Sequence, residues 1–186
     1  MKRLFDIVFS FIALIILIPI CLVIAAAIFL ENGGPLVFKQ KRMGVNNQLF
    51  TIYKFRTMRK DTPNVPTHLL SDPDKYITKI GKLLRKTSLD ELPQVLNIIK
   101  GDMSLVGPRP ALYNQTELIQ MRQENGIDKV RPGLTGWAQI NGRDDITDAL
   151  KVRYDLEYVQ KCSMRFDIEI IVKTVLAVIK AKNIKA

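Results

Sequence analysis

One histidine, two cysteines and one tryptophan in 186 residues narrow the chemistry at the outset. A single imidazole, His68, leaves little room for histidine-based catalysis or a histidine zinc site. Cys21 lies inside an apolar run and Cys162 far away in a polar stretch. That usage predicts no disulfide framework and fits a reducing compartment. Repeats and low-complexity tracts are absent, and no second stretch is large enough to fold alone. Acid is scarce as well: 28 Lys and Arg stand against 18 Asp and Glu, a net charge of +10. The surplus concentrates in residues 35–101, with 13 basic and 5 acidic side chains. Such a surface attracts phosphate, whether in nucleic acid, anionic lipid or a nucleotide.

What is present in quantity is apolar and at the start. Residues 7–30 carry no charge and are interrupted only by Ser10 and Pro19. As a straight helix this run measures roughly 36 Å, against a hydrocarbon core of about 30 Å. It is too long for a typical signal-peptide core, and no small-x-small cleavage site follows, so residues 1–32 are expected to stay as a membrane helix. Its topology has two readings. Lys2 and Arg3 precede the run, and Lys39, Lys41 and Arg42 follow it; basic flanks favour the cytoplasmic side. A bend at Pro19 would let the helix enter and leave by one face. A plain span with a tolerated proline fits equally.

Beyond the breakers Glu31-Asn32-Gly33-Gly34-Pro35, two short strands are expected over 36–41 and 49–57, with a Gly/Asn turn between them. A proline-bearing loop covers 61–73. Helices are expected at 76–86, 90–99 and 148–160, and loops at 104–110 and 131–143. The tail 166–182 places Ile170, Ile171, Thr174, Val175 and Val178 on one side. It suits either a membrane surface or the core. The expected class is α+β: a mostly helical catalytic domain, 33–186, with a short β-hairpin, following the membrane helix.

Three segments offer chemistry. Arg85-Lys86-Thr87-Ser88-Leu89-Asp90-Glu91-Leu92-Pro93-Gln94 puts two adjacent carboxylates at the start of a helix, five residues after an arginine. Ser88 and Glu91 have capping-box spacing, which by itself explains one acid structurally. Pro93 argues instead for Asp90 as the first residue of the turn, where a missing N–H costs little. Functionally, an aspartate can attack a phosphoryl group to form an acyl phosphate. Val106-Gly107-Pro108-Arg109-Pro110 mounts a guanidinium on stiff backbone, suited to a phosphate. Residues 131–143 hold Arg131, Trp137, Gln139 and Arg143 among three glycines. The glycines allow close approach to a ligand, and Trp137 could stack on a base, line a membrane interface or serve as a buried anchor.

Taken in order, the proline-bearing membrane helix, Tyr53-Lys54-Phe55-Arg56-Thr57-Met58, Ser88-Leu89-Asp90-Glu91-Leu92-Pro93-Gln94, Lys100-Gly101-Asp102-Met103-Ser104-Leu105-Val106-Gly107-Pro108-Arg109-Pro110 and Arg131-Pro132-Gly133-Leu134-Thr135-Gly136-Trp137 closely resemble the bacterial sugar transferase family of small monotopic phosphoglycosyl transferases. The match covers essentially the whole chain, as expected of a minimal catalytic unit. The resemblance implies transfer of a sugar-1-phosphate from a UDP-sugar to undecaprenyl phosphate with release of UMP, an early membrane step in glycoconjugate synthesis. It assigns Asp90 as nucleophile, Glu91 as its assistant, Arg85 as organiser of the dyad, and Arg109, on the Pro108 turn, as a phosphate holder. Arg131, Trp137, Gln139 and Arg143 become substrate-binding candidates. A magnesium ion near Asp90 is implied as cofactor. The resemblance favours a re-entrant helix kinked at Pro19 in the bacterial inner membrane, with the catalytic domain on the cytoplasmic face. Many relatives carry Ser-Pro at the kink, whereas here it is Ile18-Pro19. Implied partners are membrane lipids and downstream glycosyltransferases, with a homodimer allowed and no nucleic acid. An N-acetylated amino sugar is the expected cargo, glucose and galactose staying open. The rival readings are a membrane-tethered basic module for nucleic acid or anionic lipid, and an anchored scaffold.

Overall fold

The computed structural model describes residues 1–63, 72–142 and 146–179. Arg143, His68, part of the 61–73 loop and positions 180–182 of the tail lie outside the described residues. Helix α1 (Lys2–Asn32) takes up the whole charge-free run, with Pro19 inside it. It stops at Gly33, which turns left-handed at φ 64° and sends its N–H to the Phe29 carbonyl. Glycine makes that turn without Cβ strain.

α1 is long and apolar enough to cross a membrane. None of residues 11–23 is buried by the rest of the chain, and Phe11, Ile15, Ile16, Leu22 and Val23 are each more than half exposed. Side chains of this kind in one contiguous stretch mark a lipid or partner contact, and α1 as a whole is long enough for a hydrocarbon core. The chain is membrane-associated through α1. Near its two ends, by contrast, Asp6, Ser10, Ile24 and Ile28 are buried.

Strands β1 (Val37–Met43) and β2 (Leu49–Phe55) form the expected antiparallel hairpin, with Val37 opposite Phe55 and Met43 opposite Leu49. Its turn holds Asn46 and Asn47 at φ 50° and 56°, a left-handed conformation that Asn tolerates. Then come α2 (Pro73–Tyr76), α3 (Lys79–Thr87), a 3-10 turn over Leu89–Gln94, and α4 (Val95–Lys100). The single helix expected at 76–86 is thus divided. Thr78 explains the break: its Oγ1 accepts the Gly81 N–H at 2.9 Å and starts α3 afresh, as an N-cap does. The helix expected at 90–99 begins as a 3-10 turn at Leu89, since Pro93 cannot donate the bond that a regular α-turn needs.

The two stretches expected as loops contain more order than their composition indicated. β3 (Ser104–Val106) and β4 (Gly133–Thr135) pair in parallel, and α6 (Trp137–Asn141) follows. A Cβ on Gly133 or Gly136 would collide with the Gly107 backbone. These glycines let two chain segments approach, in place of the ligand approach read from the sequence. Helix α5 (Thr116–Glu124) has a weak sequence pattern and was not foreseen. Helix α7 (Asp148–Lys161) lies where expected. Helix α8 (Met164–Ile179) packs Ile170 wholly inside and sets Thr174 Oγ1 2.7 Å from Thr135 Oγ1. Val175, expected on the Ile170 side, is about half exposed with Ile168, Val172 and Leu176. α8 therefore shows one face to the core and a second apolar face outward.

The main core joins Ile52, Ile98, Met103, Leu105, Val106, Tyr158 and Ile170. A second cluster joins Ile24 and Ile28 of α1 to Phe55 and Leu84. The architecture is α+β, mostly helical, with one short antiparallel hairpin and one short parallel pair among the described residues. Both cysteines are free.

Candidate active site

The acidic pair sits where three elements meet. Asp90 and Glu91 lie in the 3-10 turn, both buried. β2 contributes Lys54, whose Nζ is 2.7 Å from Glu91 Oε1. The segment after β3 contributes Arg109, whose guanidinium donates to the same Glu91 oxygen at 3.0 Å. Arg85, near the end of α3, donates from Nε to Thr57 Oγ1 at 3.0 Å and lies within electrostatic reach of Asp90. The dyad, Arg85 and Arg109 are therefore brought together.

Local backbone explains how the pair is presented. Ser88 adopts φ 58° and closes α3 with its N–H on the Arg85 and Leu84 carbonyls. It does not cap the following turn with its side chain, so the capping-box account of Glu91 gives way. Asp90 is the second residue of the turn, one later than expected. Glu91 is turned to two cations rather than back to Ser88. Behind the pair, the wholly buried Asn97 of α4 straps β2 in place. Its Nδ2 donates to the Thr51 carbonyl at 2.7 Å and its Oδ1 accepts the Tyr53 N–H at 3.1 Å. Lys54 follows directly on that strap.

The two carboxylates differ electrostatically. Burial alone would raise Glu91, but the Arg109 and Lys54 cations in contact with it hold it well below the usual carboxylate range. Burial pushes Asp90 up, against the pull of Lys54, and the Glu91 charge adds to the rise while Arg85 and Arg109 oppose it. Among the described residues Asp90 has no hydrogen-bonded partner, whereas Glu91 has two. The Lys54 amine is lowered by burial despite its partner Glu91.

Lys54 is the site residue that sequence reasoning passed over. Its signal was the strand period: Phe50, Ile52 and Lys54 share one side of β2, and Ile52 is core. A lysine on a core-facing row needs a buried anion.

The remaining candidates are placed as follows. The Pro108 carbonyl accepts the Gly133 N–H at 2.9 Å and braces the Arg109 segment against β4. Arg131 donates from Nε to the Gly101 carbonyl at 3.1 Å, just past α4. Trp137 packs against Phe166 of α8 at 5.0 Å, carries Lys173 over its ring at 4.9 Å and donates to Glu157 of α7 at 2.8 Å. Of its three sequence readings, these contacts are those of an anchor. Gln139 donates to the Leu134 carbonyl while its Oε1 is buried without a partner. Pro19 lies in the exposed middle of α1. Arg143 lies outside the described residues.

No group of three or more His, Cys, Asp and Glu side chains gathers among the described residues. Magnesium does not require one, because it is commonly held by one or two carboxylates together with substrate phosphates and water. Asp90, without a hydrogen-bonded partner among the described residues, fits that role; Glu91, held by two cations, does not.

Comparison with known proteins gives this geometry a lineage. Residues 1–181 match the family model described as bacterial sugar transferase. The chain is 43% identical over 185 residues to the sugar transferase EpsL of Bacillus subtilis, covering 100% of this chain and 90% of that one. It is 40% identical to the exopolysaccharide production protein ExoY of Sinorhizobium fredii, covering 95% and 84%. It is also 40% identical to the UDP-glucose:undecaprenyl-phosphate glucose-1-phosphate transferase of Escherichia coli, where it covers 94% of this chain but 39% of the relative. With the dyad and its cations assembled from motifs spread along the whole sequence, the chain belongs to the bacterial sugar transferase family.

Proposed function

We propose that this enzyme transfers a sugar-1-phosphate from a UDP-sugar to undecaprenyl phosphate, through a covalent intermediate on Asp90. The observation that carries the reading is the inequality of the dyad. Glu91 is spoken for by Lys54 and Arg109, while Asp90 has no such partner and is raised by burial, the state of a carboxylate suited to attack. In the first half-reaction an Asp90 oxygen attacks the β-phosphorus. The bond to the bridging oxygen breaks and UMP leaves with that oxygen. In the second, a phosphate oxygen of the polyprenyl phosphate attacks the same phosphorus and Asp90 departs as carboxylate. Arg109 and Lys54, fixed in place by Glu91, stabilise the charge that develops on the phosphoryl oxygens. Lys54 and Arg85 favour the ionised form of Asp90 against its burial. A magnesium ion held by Asp90, when bound, would neutralise diphosphate charge as a hard Lewis acid.

A lipid substrate explains the setting. Both polar ends of α1 bind the same domain: Lys2 pairs with Asp167 at 2.6 Å, and Glu31 accepts the Lys79 and Ile80 N–H groups. Two ends tied to one soluble domain support a helix that enters and leaves by a single face, the cytoplasmic one by its basic flanks. The site then works at headgroup height.

The test is a panel of UDP-sugars, headed by UDP-glucose because relatives carry that substrate in their names, assayed for UMP release with undecaprenyl phosphate. Without acceptor, donor labelled in its sugar is expected to leave label covalently on the protein, and Asp90→Asn to abolish both label and turnover. Turnover surviving Asp90→Asn sinks the covalent mechanism.

A further inference from the structure

The membrane helix makes three polar contacts that anchoring does not require, and each lands on an element that carries or adjoins a site residue. At its end, the Glu31 carboxylate accepts the Lys79 N–H at 2.8 Å and the Ile80 N–H at 3.1 Å. With Thr78 Oγ1 on Gly81, the first three amides of α3 are satisfied, and α3 is the helix that bears Arg85 and leads into the dyad. At its start, Arg3 forks onto α4: NH1 to the Ile98 carbonyl at 2.7 Å and NH2 to the Ile99 carbonyl at 3.0 Å. A guanidinium there satisfies the terminal carbonyls and matches the helix dipole. One turn further, the buried Asp6 accepts the Ser104 hydroxyl at 2.8 Å and the Leu105 N–H at 3.2 Å. That carboxylate holds β3, four residues before Arg109.

The 3-10 turn of the dyad thus lies between two short helices whose far ends are both capped by α1. α3 is nine residues long and α4 only six, too short to be stable without such support. We propose that Arg3, Asp6 and Glu31 are positioning residues, forming a two-ended clamp through which the seating of α1 in the bilayer sets Asp90 and Glu91 against Arg85 and Arg109. Rotation or withdrawal of α1 would release α3, α4 and β3 together. Productive geometry would then be present only when the helix is in lipid, where the acceptor resides. The kinetic part rests on the proposed reaction; the structural part does not.

The test uses the full chain in lipid nanodiscs, with Glu31→Ala and Arg3→Lys. The lysine keeps the charge but cannot fork onto two carbonyls. Amide hydrogen exchange over residues 89–94 is expected to quicken at least about threefold in each variant, with the thermal midpoint retained. The kcat for UMP release is expected to fall about tenfold with KM for the UDP-sugar within about twofold, as misplaced catalytic groups behave. Arg85→Ala should mask the Glu31→Ala loss, since both act through one geometry. Faster exchange confined to residues 79–82 or 98–101 with unchanged kcat overturns the clamp. So does loosening spread evenly over the domain. If Glu31→Ala fails to fold, Arg3→Lys decides alone. If the unmodified protein releases no UMP from any donor, the reaction is wrong and the clamp is judged on exchange alone.

Discussion

Two buried groups of cations and carboxylates lie on either side of Arg109, and their carboxylates are bonded differently. On one side Asp90 and Glu91 face Lys54, Arg85 and Arg109. On the other, Asp155 pairs with Arg122 at 2.6 Å with Lys151 within electrostatic reach, and Arg122 spends a further N–H on the Arg109 carbonyl at 2.8 Å. In the first group Glu91 takes two cations while Asp90 has no hydrogen-bonded partner among the described residues; in the second the carboxylate and the guanidinium are bonded to each other. Burial raises Asp155 even against its arginine, and the pair ties α5, α7 and the Arg109 segment together. A buried carboxylate that has no hydrogen-bonded partner among the described residues, set among cations, is the electrostatic form of a phosphate site.

The contrast can be broken at either end. The largest effect is expected from Asp90→Asn, with turnover down by at least about a thousandfold as for loss of a nucleophile, measured by UMP release. Next, Arg122→Ala should cost about 3–5 kcal/mol of stability by leaving Asp155 buried and unpaired. The double change Arg122→Met with Asp155→Leu should restore most of it, read by denaturant unfolding. Glu91→Gln should lower kcat about a hundredfold, roughly 2.7 kcal/mol, by freeing Lys54 and Arg109 from their fixed positions.

The smallest expected effect is opposite in sign for the two members of the dyad. Because Asp90 is raised in the fold, the folded protein keeps that proton to higher pH than the unfolded chain. Stability is therefore lost as pH climbs above the unfolded carboxyl value near ~3.9. Asp90→Asn should raise stability at pH 7 by about 1 kcal/mol, a few degrees in melting temperature, while removing activity. Glu91 is lowered, so its contribution is complete above its unfolded value near ~4.3 and fades as pH falls through the folded one. Glu91→Gln should be destabilising at pH 7, and the difference should shrink on acidification. Equal responses of the two variants would show that the dyad is not divided in role.

How much of this was legible beforehand depends on whether a feature is local. α1, its Gly33 stop, the hairpin and α7 follow from runs and periods within one segment, and all were expected within a few residues. Helix α5 was missed because its apolar pattern is weak. The β3–β4 pair joins segments about thirty residues apart, and nothing in either strand names its partner. The site divides in the same way. Asp90, Glu91, Arg85 and Arg109 stood out through motif density, whereas Lys54 is defined by a contact 37 positions away. Trp137 had three readings, and only its neighbours on α7 and α8 distinguish them.

The sequence by itself determined that this chain has a membrane helix, a basic remainder with a single histidine, and an acidic pair beside arginines. Those properties depend on residue types and spacing along a few turns of chain, where local physics is sufficient. Tertiary structure alone decided which carboxylate keeps a free face, which lysine joins the site, and that the ends of α1 cap the two helices around the dyad. Each of these depends on burial and on partners far apart in the chain, and an ionised group takes its character from what surrounds it.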